Sequence, residues 1–223
     1  QYTDIEKIRE ILRTKKLSPP FVIKPSNLGS TIGVTILHNQ DGLKEAIDEA
    51  FSYSHKILIE KFIPGKEITV GILGGKEPFA VPTIEIIPRG EYYTYETKYL
   101  PGMSEHIIPA RVDESVNFKA RELGLKAHRA LGCYGMSRVD MIARDDGNLF
   151  VLEVNTLPGM TQTSLLPEAA AKMGIDFCQF VKLQVEWALE REKAKSLIKR
   201  EGPGLLGEEP VTAGTDIEDN TGT

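Results

Sequence analysis

The dipeptide Asp146-Gly147 constrains this chain more than any other feature, because it sits between two apolar runs in YGMSRVDMIARDDGNLFVLEVN. Asp-Gly flanked by strand-forming runs is the strongest short-range hairpin signal, since a type I′ turn needs positive φ at both central residues. With those two residues as the turn, Asp145 faces Asn148, and counting outward sets Asp140 opposite Glu153 and Arg138 opposite Asn155. Cross-strand partners have Cβ atoms about 4.5–5.5 Å apart, and like charges directly opposite destabilise a sheet. Two carboxylates so placed call for a cation. Asp140, Glu153 and Asn155 offer oxygen donors with no His or Cys beside them in sequence. Such a set suits Mg²⁺ or Mn²⁺, which complete their shells with water and phosphate. On a solvated sheet face the same acids would simply be screened by Arg138. That alternative leaves unexplained why RVDMI and LFVLEVN are apolar on both sides of the polar positions.

With 41% apolar, 26% charged and 7% aromatic residues in 223, the chain has the composition of a soluble globular protein with one or two cores. The net charge of −5 is uneven: residues 201–223 carry Glu201, Glu208, Glu209, Asp216, Glu218 and Asp219 with no Lys or Arg, which leaves about +1 for the rest. A near-neutral body argues against nucleic acid as a partner. No apolar run approaches the roughly 20 residues of a membrane span, and with no charged-then-apolar pattern at the start, export is not expected. With two cysteines and no CxxC spacing, a reduced, cytoplasmic protein is expected, with Cys133 and Cys178 in the core. The start at Gln1, directly into a helix, leads to the expectation of sequence upstream.

The pattern predicts an α+β protein. TDIEKIREILRTKK reads as a helix capped by Thr3 or Asp4, with Ile5, Ile8, Ile11 and Leu12 in one stripe. FVIKP and IGVTILH read as strands around the small-residue loop SNLGST. DGLKEAIDEAFSYS is a second helix with Leu43, Ile47 and Phe51 inward, and KILIEKFI and KEITVGILGG are further strands. These elements define a first lobe over residues 1–67. A second lobe over 68–199 adds the strands FAVPTIEIIPRG, EYYTYE and SEHIIPARV, broken by TKYLPGMSE, an irregular loop of the kind that forms lids. It also adds a helix, ESVNFKARELGLKAHRALGC, with Phe118, Leu123, Ala127, Ala130 and Leu131 inward, then the hairpin and a closing amphipathic helix. Residues 200–223 are expected to be a disordered acidic tail.

In order along the chain, VIKPSNLGSTIGV, LIEKFIPGKEITV, YETKYL, SRVDMI and EVNTLPGMTQTSLLP resemble the ATP-grasp portion of D-alanine–D-alanine ligases. The likeness covers about residues 18–190. It implies two α/β lobes on mainly antiparallel sheets with ATP bound between them. It also implies ligation of two D-alanines for peptidoglycan: ATP phosphorylates one carboxylate, and the second amine attacks the acyl phosphate. By the same resemblance Lys24 contacts phosphate, and Glu60, Lys61, Phe62 and Ile63 hold adenine. Glu67 accepts from the ribose, and Lys98 neutralises the phosphate in transfer. Ser30 and Tyr99 meet across the substrate pocket, and Tyr99 favours an amine as second substrate. Asp140, Glu153 and Asn155 ligate the metal, with two ions bridging the nucleotide phosphates. Arg138 and the Gly159 N–H stabilise the oxyanion, while Ser164 and Leu165 contact the second D-alanine. Without the resemblance, Glu60 and Glu67 are surface acids at strand ends, and Ser164 is a helix cap near Pro167.

Relatives in this family begin with a Rossmann-like domain that bears a substrate-binding glutamate, followed by a strand with a second phosphate-contacting lysine. Neither is found in these residues, and Lys15 and Lys16 sit in a helix tail. The expectation is therefore a ligase fragment that needs the missing part for full activity. The family is commonly dimeric, so a homodimer is implied. Two alternatives stand: another ATP-grasp carboxylate–amine ligase, and a catalytically silent nucleotide-binding module.

Overall fold

A computed structural model describes residues 4–29, 31–88 and 104–201 of the chain. Helix α1 (Ile5–Thr14) starts where the Asp4 carboxylate accepts the Lys7 N–H at 3.1 Å, satisfying one of the donors a helix start leaves open. Leu12 is buried and Ile5 and Ile8 pack around the same core. Strand β1 (Phe21–Pro25) lies between β2 (Thr35–Leu37) and β3 (Ile57–Lys61) in a three-stranded antiparallel sheet. The returning strand is shorter than the run IGVTILH, because Thr31 and Gly33 take positive φ and the chain turns until Val34. Helix α2 (Leu43–Tyr53) covers the sheet with Leu43, Ala46, Ile47 and Ala50. Phe51, expected inward, is exposed, since the small residues Ala46 and Ala50 complete the inner stripe.

The second sheet has six strands: β4 (Lys66–Gly74), β5 (Phe79–Ala80), β6 (Ile84–Pro88), β7 (Ser104–Ile107), β8 (Gly135–Ala143) and β9 (Leu149–Asn155). Their order is β7-β6-β4-β8-β9, with β5 also on β4, and every pairing is antiparallel. The lobe boundary expected after residue 67 falls inside β4, where Lys66 and Glu67 already pair with Ala143 and Ile142. Side chains alternate between faces along each strand. Ile68, Val70 and Ile72 thus join Val139 and Met141 under helix α3 (Glu114–Ala130). On the other face, Leu73, Ile84, Ile86 and Met136 pack against α4 (Leu165–Ala171) and α5 (Phe177–Glu201). Gly71 is the contact point there: a Cβ on it would lie 2.1 Å from Leu166 Cδ1 and 2.7 Å from Val81 Cγ2.

Helix α3 is rotated from the expected face. Phe118, Ala130 and Leu131 point to solvent, and the buried set is Val116, Asn117, Ala120, Gly124 and His128. Apolar periodicity misleads here because polar residues on the inner face have partners. Asn117 donates to the carbonyls of Ala110 and Val112 and accepts from the Thr83 hydroxyl. His128 Nδ1 lies 2.7 Å from Ser137 Oγ, and burial pushes its imidazole below the ordinary pKa. Gly124 brings the helix close, since a Cβ would sit 3.2 Å from Val70. The cysteines also differ from expectation, with Cys178 exposed and Cys133 half-buried. EYYTYE, most of TKYLPGMSE and the tail beyond Glu201 lie outside the described residues.

The hairpin holds the main correction. Its loop has three residues, Asp145, Asp146 and Gly147, closed by bonds of 3.0 Å from the Arg144 N–H to the Asn148 carbonyl and from the Gly147 N–H to the Arg144 carbonyl. Only Gly147 takes positive φ (78°), so this is no type I′ turn. Asp146 instead accepts the Asn148 N–H at 3.0 Å, a bond that holds its carboxyl below the usual carboxylate range. The extra loop residue shifts the register, giving Ala143 opposite Leu149 and Met141 opposite Val151. A β-bulge between Asp140 and Met141, with Leu152 as the unpaired residue, then shifts it back. Beyond the bulge Asp140 faces Glu153 and Arg138 faces Asn155, as the sequence analysis expected.

Candidate active site

Lys24 is the penultimate residue of β1, and its Nζ lies 2.7 Å from Glu60 Oε2. The register pairs Lys24 with Leu58 and Val22 with Glu60, which makes the two charged residues diagonal neighbours on one face. This partnership was not legible in the sequence, where Glu60 was assigned only to the adenine segment. Lys24 and Glu60 are partly solvated, and exposed pairs of this kind contribute about 0–1 kcal/mol. A phosphate can therefore replace the carboxylate at small cost. Lys61 ends β3, the Phe62 N–H donates to the Pro20 carbonyl at 2.9 Å, and half-buried Ile63 follows in the connection to β4. Ser30, Lys98 and Tyr99 lie outside the described residues.

The second group lies on the six-stranded sheet. The register puts Glu67, Thr69 and Gly71 of β4 beside Ile142, Asp140 and Arg138 of β8 on one face, and Glu153 and Asn155 of β9 continue that face. Asp140 is only 4% exposed. Its Oδ1 accepts from Arg138 Nε at 2.9 Å and from the Thr69 hydroxyl at 2.6 Å, and its Oδ2 accepts from the other Arg138 nitrogen at 2.7 Å. A buried carboxylate needs such partners. Glu153 is exposed opposite it, and Asn155 uses Oδ1 to accept the Leu157 N–H at 3.0 Å, which turns the chain into the following loop. Glu67 is half-buried. Sequence reasoning missed Thr69, because a threonine inside a strand is ordinary. Its one signal was its register opposite Asp140, which needs β4 paired to β8.

Among the described residues no three His, Cys, Asp or Glu side chains gather at a metal-binding distance. What the sheet offers is two carboxylates and one amide on adjoining strands, all of them oxygen donors once Asn155 turns its carbonyl. That set fits a hard cation that keeps water and phosphate oxygens in its shell, and it does not fit a soft one.

The third group is the loop after β9. The Ser164 hydroxyl accepts the Thr161 N–H at 3.0 Å and lies 2.8 Å from the Thr161 hydroxyl. Ser164 holds the N-cap position of α4, but its side chain makes no cap bond, so it ties the loop together instead. A Cβ on Gly159 would lie 2.9 Å from Ser164 Oγ, so a larger residue there would press on the hydroxyl that bonds Thr161. Leu165 is partly buried and packs on the core beneath α4.

Comparison with known proteins places this geometry. The chain is 31% identical to the Bacillus anthracis D-alanine–D-alanine ligase whose structure was solved in complex with ATP, with a TM-score of 0.68 over 87% of this chain and 60% of that one. Against the VanG D-Ala:D-Ser ligase of Enterococcus faecalis the TM-score is 0.71 at 29% identity, over 83% and 55% of the two chains. The fold is thus the ATP-grasp fold of these ligases. The family model described as D-ala D-ala ligase C-terminus matches residues 3–186, and the chain belongs to that family. The chain is also 52% identical over 162 residues to the D-alanine–D-alanine ligase of Citrifermentans bemidjiense, covering 73% of this chain and 52% of the relative. The corresponding ligase of Halalkalibacterium halodurans is 46% identical over 77% and 57%. The chain spans about half the length of the curated relatives it matches.

Proposed function

We propose that the chain is the ATP-grasp part of an enzyme that joins two D-alanines to D-alanyl-D-alanine in the cytoplasm, for peptidoglycan. The observation that carries this reading is Asp140 opposite Glu153 with Arg138 opposite Asn155, on a sheet whose family is that of D-alanine ligases. Lys24 trades Glu60 for nucleotide phosphate, the strand end from Glu60 to Ile63 receives the base, and Glu67 takes the ribose. Asp140, Glu153 and Asn155 hold Mg²⁺ or Mn²⁺, which when bound neutralises phosphate charge. Arg138, held in place by Asp140, donates to the carbonyl oxygen of the activated D-alanine, and the Gly159 N–H meets the same oxygen. Charge that develops there during amine attack is best met by donors already in position, and one such donor is typically worth about 2.7–4 kcal/mol. Ser164 and Leu165 orient the second amino acid. Lys98, Ser30 and Tyr99 complete the site in this reading, and the working protein is a homodimer.

The likeness to the VanG D-Ala:D-Ser ligase favours one further reading, in which the second substrate is another small amino acid such as D-serine. ADP release coupled to a chromogenic assay, with ATP, Mg²⁺ and D-alanine, D-serine or D-lactate in turn, tests both readings. D-alanine-dependent release that exceeds the other two supports the main reading. Nucleotide binding without release under any of them, in a protein that also carries the N-terminal part of its relatives, favours a silent binding module.

A further inference from the structure

We propose that Thr69 is a positioning residue for Asp140, fixing which oxygen of that carboxylate a divalent cation meets; this rests on reading Asp140, Glu153 and Asn155 as the metal site. Thr69 is fully buried on β4, directly opposite Asp140 on β8. Packing alone would be served by valine, so the hydroxyl requires its own reason, since burying an unpaired hydroxyl is costly. The hydroxyl lies 2.6 Å from Asp140 Oδ1 and 3.2 Å from the Val139 carbonyl. It has one proton, and the ionised acceptor gives the shorter and stronger bond.

A carboxylate offers about four acceptor positions, two on each oxygen. On Asp140, Oδ1 takes the Thr69 hydroxyl and Arg138 Nε, while Oδ2 takes one Arg138 donor. The open position is therefore on Oδ2, and that oxygen is the one a cation meets. Without the hydroxyl, Oδ1 regains a lone pair while Arg138 still holds both oxygens, so a cation is no longer directed to Oδ2 alone. Partners that orient a ligating carboxylate typically change metal affinity about 10–100-fold when removed.

The experiment is a Mn²⁺ titration in the presence of ADP, following the free-ion electron paramagnetic resonance signal, on the wild-type chain, Thr69→Val and Thr69→Ser. Thermal midpoints are read alongside. Thr69→Val keeps the shape and is expected to weaken Mn²⁺ about 10–100-fold, and Thr69→Ser, which keeps the hydroxyl, is expected to bind as the wild type does. If Thr69→Val does not fold, Thr69→Ala makes the same deletion in a smaller side chain and carries the same expectation. Wild-type affinity in the hydroxyl-free variant overturns the positioning role, and so does a Thr69→Ser variant as weak as Thr69→Val. A wild-type chain that binds no Mn²⁺ overturns the metal-site reading itself, which the first two outcomes leave intact.

Discussion

In the three-stranded sheet, Lys24 and Glu60 meet with side chains 22% and 40% exposed, whereas in the six-stranded sheet Arg138 and Asp140 meet at 17% and 5% with the Thr69 hydroxyl bonded to the same carboxylate. Both are cation–carboxylate pairs at 2.7 Å. They differ in what surrounds them. Water screens the first pair, so its residues can exchange partners readily, as the proposed phosphate contact of Lys24 requires. The second is fixed by three hydrogen bonds to one carboxylate, so the groups proposed to hold a ligand also help hold the sheet together. A nucleotide handle suits the first arrangement, and a preorganised reaction centre suits the second.

The contrast predicts that substitutions in the second sheet change stability and binding together, while those in the first change binding alone. Asp140→Asn removes the carboxylate that Arg138 meets at 2.7 Å, and breaking a mostly buried pair costs about 3–5 kcal/mol. Urea unfolding reads this, and a loss no larger than that of Lys24→Ala would erase the distinction. Gly71→Ala pushes a methyl against Leu166 and Val81 where α4 seats on β4. Overpacking of this kind costs about 1–3 kcal/mol, and the shift carries Ser164 with it, so D-alanine KM is expected to rise more than ATP KM.

His128 gives the next effect. Burial lowers its pKa from the ordinary 6.5, so the unfolded chain takes up the proton first. Its contribution is thus fully present above 6.5 and is lost as pH falls through that value toward the lowered folded one. The thermal midpoint is expected to fall from about pH 8 to about pH 5 more steeply in the wild type than in His128→Gln. Equal slopes would remove His128 as the cause. Lys24→Ala is expected to move stability least, by less than about 1 kcal/mol, while weakening ATP by about 1.5–3 kcal/mol in a calorimetric titration.

Much of this contrast was open to sequence reading, in uneven ways. Strands β1, β3, β4, β8 and β9 and the helices were visible because their apolar runs end at Gly, Pro and Asp. The face of α3 was not, because Asn117 and His128 are buried through partners that lie far off in sequence. The pairing of Asp140 with Glu153 was expected from a two-residue turn that does not exist. The three-residue loop and the Leu152 bulge each shift the register by one residue, in opposite senses. A local turn signal cannot report a bulge farther up the strand, so the right pairs came from two offsetting features. The roles of Lys24, Gly159 and Ser164 came through family likeness. The Lys24–Glu60 pair and the Thr69–Asp140 bond needed the sheets to be assembled.

The central claim is that Asp140 and Glu153 share one divalent ion, and the most direct measurement is the Mn²⁺ affinity of the wild-type chain and of Glu153→Gln with ADP present. Glu153 is exposed, so its substitution spares the core, and removing a charge opposite Asp140 is expected to leave the metal-free thermal midpoint equal or higher. The account predicts that Glu153→Gln loses Mn²⁺ affinity by about tenfold or more. Unchanged affinity in that folded variant would contradict it.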